Sequence, residues 1–196
     1  MIKKIASNIT DFIISILDID DGTKDIYQYG IELMVSSFFN ILFVMLCALL
    51  FKDIGAGLIY LSVFIFLRLF CGGYHSSTYF RCNVTMIVAF TLTYSIYWAL
   101  CYWDISLYLF ESLSLVNFIP IILHAPVSNA HKPLTENKRK KCRLISIILI
   151  FLFTLCAFIL FSFKVKYGLL IVVTLSAVSV MIIIEIFLQR RGYHNS

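Results

Sequence analysis

Six long apolar stretches run through this chain, and they leave few folds open to it. They cover residues 31–51, 54–71, 84–103, 105–124, 144–163 and 167–188. Each approaches the ~20 mostly apolar residues that a helix needs to cross a bilayer. Because 61% of the 196 residues are hydrophobic and only 14% are charged, a water-soluble domain of this size could not bury so much apolar surface. The sequence predicts an all-α, polytopic membrane protein with about six transmembrane helices.

The six stretches differ in how cleanly apolar they are. The first, third, fifth and sixth are clean enough to predict spans directly, whereas the second carries Arg68 near its end. The fourth contains Glu111, Asn117 and Pro120, which makes it the weakest of the six. Since a charge inside a membrane is costly, Glu111 and Glu185 are candidates for a functional role.

The first seventeen residues follow another pattern. Their apolar side chains recur at helical spacing with polar residues between them: Ile2, Ile5, Ile9, Phe12, Ile13, Ile16 and Leu17. This pattern predicts an amphipathic helix lying on the membrane surface. The alternative is a helix packed on the bundle. We therefore expect one integral membrane domain over 1–196, with a surface helix and linker in 1–25 and a transmembrane bundle in 26–196.

Lysine and arginine are distributed unevenly between the predicted loops. With the N-terminus inside and six crossings, thirteen of them fall on the cytoplasmic side and three on the outside. Because basic residues concentrate in cytoplasmic loops, we expect both termini and the segments 68–82 and 132–143 in the cytoplasm of a cell-membrane protein. Topology then accounts for the net charge of +5, and we expect no nucleic-acid partner.

Polar residues concentrate between the second and third stretches. This segment contains Gly72-Gly73, where a helix would be weakened by ~1 kcal/mol per glycine, followed by His75 and Cys82. A thiol is mostly protonated at neutral pH, and a neighbouring imidazole can take its proton to give a nucleophilic thiolate. Arg68 would favour that thiolate electrostatically. The segment is therefore a candidate site for cysteine chemistry.

The spacing of His75 and Cys82 alone leaves other interpretations of this segment open. On one straight helix His75 and Cys82 would be ~10 Å apart along the axis, so a catalytic pair needs a bend or a histidine on the loop before the next helix. An ordinary polar loop with a buried cysteine is the plainer alternative. A metal site made by Cys71, His75 and Cys82 is disfavoured because its spacing differs from that of structural zinc sites. We expect no metal and no cofactor.

The pattern Arg68-x3-Gly72-Gly73-x-His75-x6-Cys82 resembles the signature of the AgrB family, the accessory gene regulator B membrane peptidases. A second stretch matches as well, with Ala125-Pro126 and a Lys-Pro-Leu triplet at 132–134, followed by a basic run of four residues. That run consists of Lys138, Arg139, Lys140 and Lys141. The resemblance covers nearly the whole chain, but only these two stretches are specific. Cys71 is not part of the pattern.

The resemblance implies a cysteine endopeptidase that processes AgrD, the propeptide of a quorum-sensing signal. It implies Cys82 as nucleophile and His75 as base, supported by Arg68, Gly72 and Gly73. The tail of AgrD is removed, and an internal nucleophile of the peptide closes a thiolactone or lactone ring. The resemblance further implies a homodimer in the lipid bilayer. The basic run at 138–141 would bind the acidic tail or, alternatively, only set topology.

Two other classes of function compete with this one. A small transporter or exporter would use Glu111, Asn117 and Pro120 in a broken helix, but no inverted repeat is visible. A non-catalytic membrane scaffold is the third possibility. The transporter hypothesis does not account for the polar segment that carries His75 and Cys82. The sequence also offers no carboxylate that is visibly placed to orient His75.

Overall fold

The computed structural model describes residues 2–17, 24–72, 79–103, 107–127 and 135–190. Seven helices form in this part of the chain. They are α1 (Ile2–Leu17), α2 (Lys24–Leu50), α3 (Ile54–Cys71), α4 (Tyr79–Tyr102), α5 (Leu107–His124), α6 (Glu136–Ser162) and α7 (Tyr167–Arg190). All but α1 are long and apolar enough to cross a membrane. The predicted all-α fold with six candidate spans is therefore confirmed.

The bundle has two ends, and contacts between loops identify them. At the first, which we call the Gly72 end, the Val127 N–H after α5 donates to the Cys71 carbonyl at the end of α3, at 3.0 Å. At the second, the Asp53 end, the Tyr167 hydroxyl at the start of α7 donates to Asp53 before α3, at 2.9 Å. Successive helices from α2 to α7 therefore alternate in direction, as six crossings require.

Helix α7 is the centre of the bundle. It packs against α3, α4, α5 and α6, and twelve of its residues are buried, from Gly168 to Glu185. By contrast, α6 buries only Ser146, Ile150 and Ala157. A helix buried on all sides must be apolar all round, whereas a peripheral one needs only a stripe of contacts. The remaining apolar surface of α6 is left for lipid.

Helix α1 packs on α2 through small side chains. Ala6 and Thr10 are fully buried, while Ile9 and Phe12 are exposed. The two helices are also joined by an ion pair between Lys24 and Asp11, at 2.9 Å, whose hydrogen bond lowers the pKa of the Asp11 carboxyl. The predicted helix is confirmed. It packs on the bundle and still presents apolar side chains outward, as a helix at a membrane surface does.

Helix α5 is continuous from Leu107 to His124 with Pro120 inside it. The broken helix expected for a transporter is therefore wrong. Asn117 is buried, and its amide donates to the Val172 carbonyl of α7, at 3.2 Å, while the Ser179 hydroxyl donates to the Asn117 carbonyl, at 3.3 Å. Interhelical hydrogen bonds of this kind hold membrane helices together. Asn117 thus has a structural role, and Glu111 is exposed.

Candidate functional site

The segment between α3 and α4 begins at Gly72, which ends α3. Its backbone has φ +75° and ψ −146°, and its N–H donates to the Arg68 carbonyl. Almost only glycine adopts this backbone conformation. A Cβ atom at Gly72 would meet the Val127 carbonyl oxygen, a backbone atom, at 2.5 Å. Both the backbone angles and the close approach therefore require glycine here.

The residues that follow α5 dock directly on this glycine. Ala125 and Pro126 are buried and joined by a cis peptide bond, and the next residue, Val127, donates its N–H to the Cys71 carbonyl, at 3.0 Å. Gly72 and Ala125-Pro126 belong to the two separate stretches that resemble AgrB. The fold thus brings these stretches into contact at one end of the bundle.

Arg68 lies in the last turn of α3, facing α7. Its guanidinium contacts the Met181 sulfur, at 3.7 Å, and lies 5.7 Å from the centre of the Phe64 ring. A cation over an aromatic face is attracted by the ring quadrupole. Arg68 is therefore held against the central helix, one turn before Gly72, and its positive charge lies at the same end of the bundle as the candidate site.

Cys82 lies in the first turn of α4, and its side chain is half-buried. It lies one turn before the buried Met86 and three turns before the buried Thr93, so it continues the stripe by which α4 faces the bundle. The thiol is therefore on the inner side of α4 at the Gly72 end. Gly73 and His75 lie outside the described residues, and their predicted roles stay predictions.

Of the three cysteines near this end, Cys71, Cys82 and Cys142, the first two flank the segment between α3 and α4 and differ in accessibility. Cys71 is fully buried in the core, whereas Cys82 is half-buried. Because a reagent or substrate must reach a thiol in order to react with it, Cys82 is the more accessible of the two to such a molecule. The sequence alone does not indicate which of these two thiols is accessible, and the structure shows that it is Cys82.

The basic run forms the beginning of α6, and all four of its side chains are exposed. Successive helix residues are ~100° apart, so the four charges surround the helix instead of forming one face. Arg139 is seven residues before the buried Ser146 and lies on the same side of α6. Lys141 is on the opposite side. Arg143 is directed to α5, where it donates to the Ile122 carbonyl, at 3.3 Å.

Glu32 is a residue that the sequence interpretation missed. The prediction that the first apolar stretch is clean is wrong, because this stretch contains the carboxylate of Glu32 and buries it to 7% exposure. Glu32 accepts a hydrogen bond from Gln28, at 3.3 Å. A spacing of four residues from Gln28 through Glu32 and Ser36 to Asn40 could have revealed a polar stripe along α2.

Comparisons with known proteins agree with this architecture. The family model described as Accessory gene regulator B matches residues 6–188. A putative AgrB-like protein of Clostridium perfringens is 26% identical over 186 residues, which cover 91% of this chain and 86% of that protein. The accessory gene regulator protein B of Staphylococcus intermedius is 30% identical over 151 residues, covering 76% and 70%. No solved structure matches. With the family model spanning nearly all seven helices, this chain belongs to the accessory gene regulator B (AgrB) family.

Proposed function

We propose that this protein is a membrane cysteine endopeptidase that cleaves the tail from an AgrD-like propeptide and closes the remaining peptide into a ring. Cys82 is the nucleophile and His75 the base. The product is a cyclic thiolactone or lactone intermediate of a quorum-sensing signal. A homodimer is part of this proposal by resemblance to the family.

The position of Cys82 supports this proposal most directly. Its half-buried thiol lies on the inner side of α4, in the first turn of that helix. The positive end of a helix dipole favours an anion at this position, and Arg81 adds a positive charge next to it. A thiolate is the form of cysteine that attacks a carbonyl carbon.

The proposed reaction has two acyl transfers. In the first, His75 takes the thiol proton, and the Cys82 sulfur attacks the carbonyl that joins the signal segment to the tail. The C–N bond breaks, His75 protonates the leaving amine, and an acyl thioester remains on Cys82. In the second, a thiol or hydroxyl of the peptide attacks this thioester. The ring ester forms and Cys82 regains its thiol.

Ring closure needs protection from water, because hydrolysis of the thioester would give a linear acid. A cysteine on the inner side of a helix that crosses the membrane is suited to this requirement. A peptide whose amphipathic leader lies on the same membrane also has a raised effective concentration at the site. Ring closure and substrate capture thus both depend on the bilayer.

Coexpression with a candidate propeptide tests the proposal. A suitable candidate is a peptide of about 50 residues encoded by a neighbouring gene, with one internal cysteine or serine between a leader and a charged tail. We expect the mass of the product to equal that of the precursor without its tail and less one water, as ring closure requires. A precursor left uncut in cells that contain abundant enzyme would contradict the proposal.

The topology of the bundle gives a first prediction. The alternation of helices places Thr135 and Lys164 at opposite ends, and both side chains are exposed. In a background without other reactive thiols, we expect a cysteine at Thr135 to resist an impermeant maleimide in whole cells and a cysteine at Lys164 to be labelled. The reverse pattern would show that the Gly72 end faces outward and would overturn the proposed cytoplasmic site.

The basic run gives a second prediction. Arg139 lies on the side of α6 that carries the buried Ser146, ~10 Å from it along the helix axis. Of the four basic side chains, it is therefore the one on the side of α6 that faces the bundle. We expect Arg139→Glu to reduce capture of a precursor with an acidic tail about tenfold, with the rate of saturated enzyme little changed.

Lys141→Glu is the matched control for this prediction, because it makes the same charge change on the opposite side of the same helix. We expect it to have a smaller effect, and an acidic-to-basic change in the precursor tail to restore much of the loss in Arg139→Glu. Equal losses in the two variants, with normal amounts of protein, would indicate a general effect of charge on topology and would argue against tail binding.

A further inference from the structure

A polar stripe runs along the first half of α2 on its buried side. Gln28 donates to Glu32, at 3.3 Å, and one turn later the Ser36 hydroxyl donates to Asn83 of α4, at 3.0 Å. Glu32 and Ser36 are 7% and 3% exposed. Asn83 is the residue directly after the proposed nucleophile. A line of buried polar groups thus reaches the helix turn that carries Cys82.

Two contacts fix the relative direction and register of α2 and α4. Ser36, in the middle of α2, donates to Asn83 near the beginning of α4, and Phe51, just after α2, stacks on Tyr94 further along α4, with ring centres 4.7 Å apart. The two helices therefore run in the same direction. At 1.5 Å per residue, a shift of four residues is ~6 Å along either axis.

This register places Glu32 at the level where α4 begins. Glu32 is four residues before Ser36, and Tyr79, the first residue of α4, is four residues before Asn83. On a helix, residues four apart lie on the same side, so Glu32 and Ser36 both face α4. The segment that contains His75 joins α4 at this level. By chain length alone, the four residues from His75 to Tyr79 span at most ~14 Å.

Burying a carboxylate at this depth is costly. Within a predicted span, an acidic residue is expected to have a function or a partner that compensates for its desolvation. Among the described residues, Glu32 accepts a hydrogen bond from the uncharged Gln28, which supplies little of this compensation. A positive charge that forms beside Glu32 during the reaction would supply more, and the imidazolium produced when a thiol loses its proton is such a charge.

We propose that Glu32 is the positioning carboxylate of the active site. It orients the imidazole that takes the proton of Cys82 and stabilises the resulting imidazolium. This inference rests on the proposed function, which supplies the base. The proton moves from sulfur to the imidazole and later to the leaving amine. Glu32 stays ionised throughout and forms no covalent bond, as the carboxylate does in a nucleophile–histidine–carboxylate triad.

The chain offers two matched carboxylates for comparison. Glu185 of α7 is also buried, at 2% exposure, and also accepts a hydrogen bond from a glutamine one turn away, Gln189, at 3.0 Å. Glu111 of α5 lies within a candidate span and is exposed. Substituting each by glutamine makes the same chemical change in a different place. Of these three carboxylates, Glu32 is the one whose helix is hydrogen-bonded to Asn83, the residue next to Cys82, in the described part of the chain.

The test uses iodoacetamide as a probe, because its rate of reaction measures the thiolate at each cysteine. The full-length protein in membranes is treated briefly, and alkylation is mapped by mass spectrometry. We expect Glu32→Gln to slow the alkylation of Cys82 about tenfold, because the imidazolium that forms with the thiolate loses its carboxylate partner. Half-buried Cys142 and buried Cys71 serve as internal references. Their rates should not change if the fold is intact.

Substitution by aspartate separates charge from structure. We expect Glu32→Asp to recover most of the Cys82 rate, whereas the isosteric but neutral Glu32→Gln does not. A purely structural role would give the opposite order. Glu185→Gln and Glu111→Gln should leave the Cys82 rate unchanged. A loss in Glu185→Gln without one in Glu32→Gln would assign the role to Glu185 and overturn the proposal.

His75→Ala distinguishes failure of this inference from failure of the proposed function. If His75→Ala slows Cys82 alkylation and Glu32→Gln does not, only the role of Glu32 is wrong. If neither substitution changes the rate, and Cys82→Ala still cleaves the precursor, the proposed function itself is wrong. A faster reaction of Cys71 in Glu32→Gln would indicate an opened core. In that case the Cys82 rate in Glu32→Asp decides whether Glu32 has a positioning role or a purely structural one.

Discussion

Cys82→Ala is expected to abolish cleavage of the precursor tail completely. No other nucleophile has been assigned to form the acyl intermediate, and the buried thiol of Cys71 is not accessible to a peptide. The substitution removes only the sulfur of a half-buried side chain, so the protein should reach the membrane in normal amounts. Cleavage is followed by the mass of the precursor in membranes from cells that contain both chains.

His75→Ala should lose most of the activity but leave the nucleophile in place. Loss of a general base typically lowers a rate ~10²–10⁴-fold. Cys71→Ala is the control for thiol removal at the same end of the bundle. Because it takes one sulfur from a packed core, it should cost some stability and still cleave the precursor at a rate close to that of the unchanged protein.

A precursor without its internal nucleophile should trap the intermediate. Since the ring cannot close, the acyl group stays on Cys82, where it raises the mass of the enzyme by that of the truncated peptide less one water. Hydroxylamine, which cleaves thioesters, should release it. An active Cys82→Ala enzyme or an adduct on Cys71 would contradict the mechanism. A cyclic product formed without removal of the tail would point to another enzyme.

The helices of this protein could be predicted from sequence because each depends on a local property. Apolar stretches of membrane-spanning length predicted α2 to α7, and the spacing of apolar residues in 2–17 predicted α1. Cys82 could be singled out because it belongs to a short local pattern. These features are set by neighbours in the chain, and no tertiary contact is needed to see them.

The contacts that build the site could not be predicted in this way. Val127 meets Gly72 and Ser36 meets Asn83 across tens of residues, and nothing in the spacing of either pair indicates the register between their helices. The polar stripe that contains Glu32 is visible in the spacing of α2, but its level relative to α4 is not. In a stretch that is otherwise apolar, the role of one carboxylate depends on which residues of the facing helix lie beside it. Burial and register are properties of the packed bundle.

Gly72→Ala is expected to have the largest effect outside the proposed catalytic pair. An added Cβ would lie 2.5 Å from the Val127 carbonyl oxygen, and because that oxygen is a backbone atom, either the end of α3 or the 125–127 segment must move. The positive φ of 75° adds strain of ~1–3 kcal/mol for any residue with a side chain. A displacement of ~1 Å near a reacting group can cost ~10²-fold in rate, so we expect a loss of this order in tail cleavage.

Gly30→Ala is the matched control, since no atom lies within 4 Å of the Cβ position at Gly30. Gly30 is inside α2, where alanine is favoured over glycine by ~0.5–1 kcal/mol, so this variant should be at least as stable and fully active. Cleavage rate, protein amount in membranes and protection of buried Cys71 from alkylation are measured for both. In Gly72→Ala we expect Cys71 to stay largely protected while cleavage falls, because the strain is local to the end of α3. Cleavage at the unchanged rate would show that the contact between Gly72 and Val127 does not position the site.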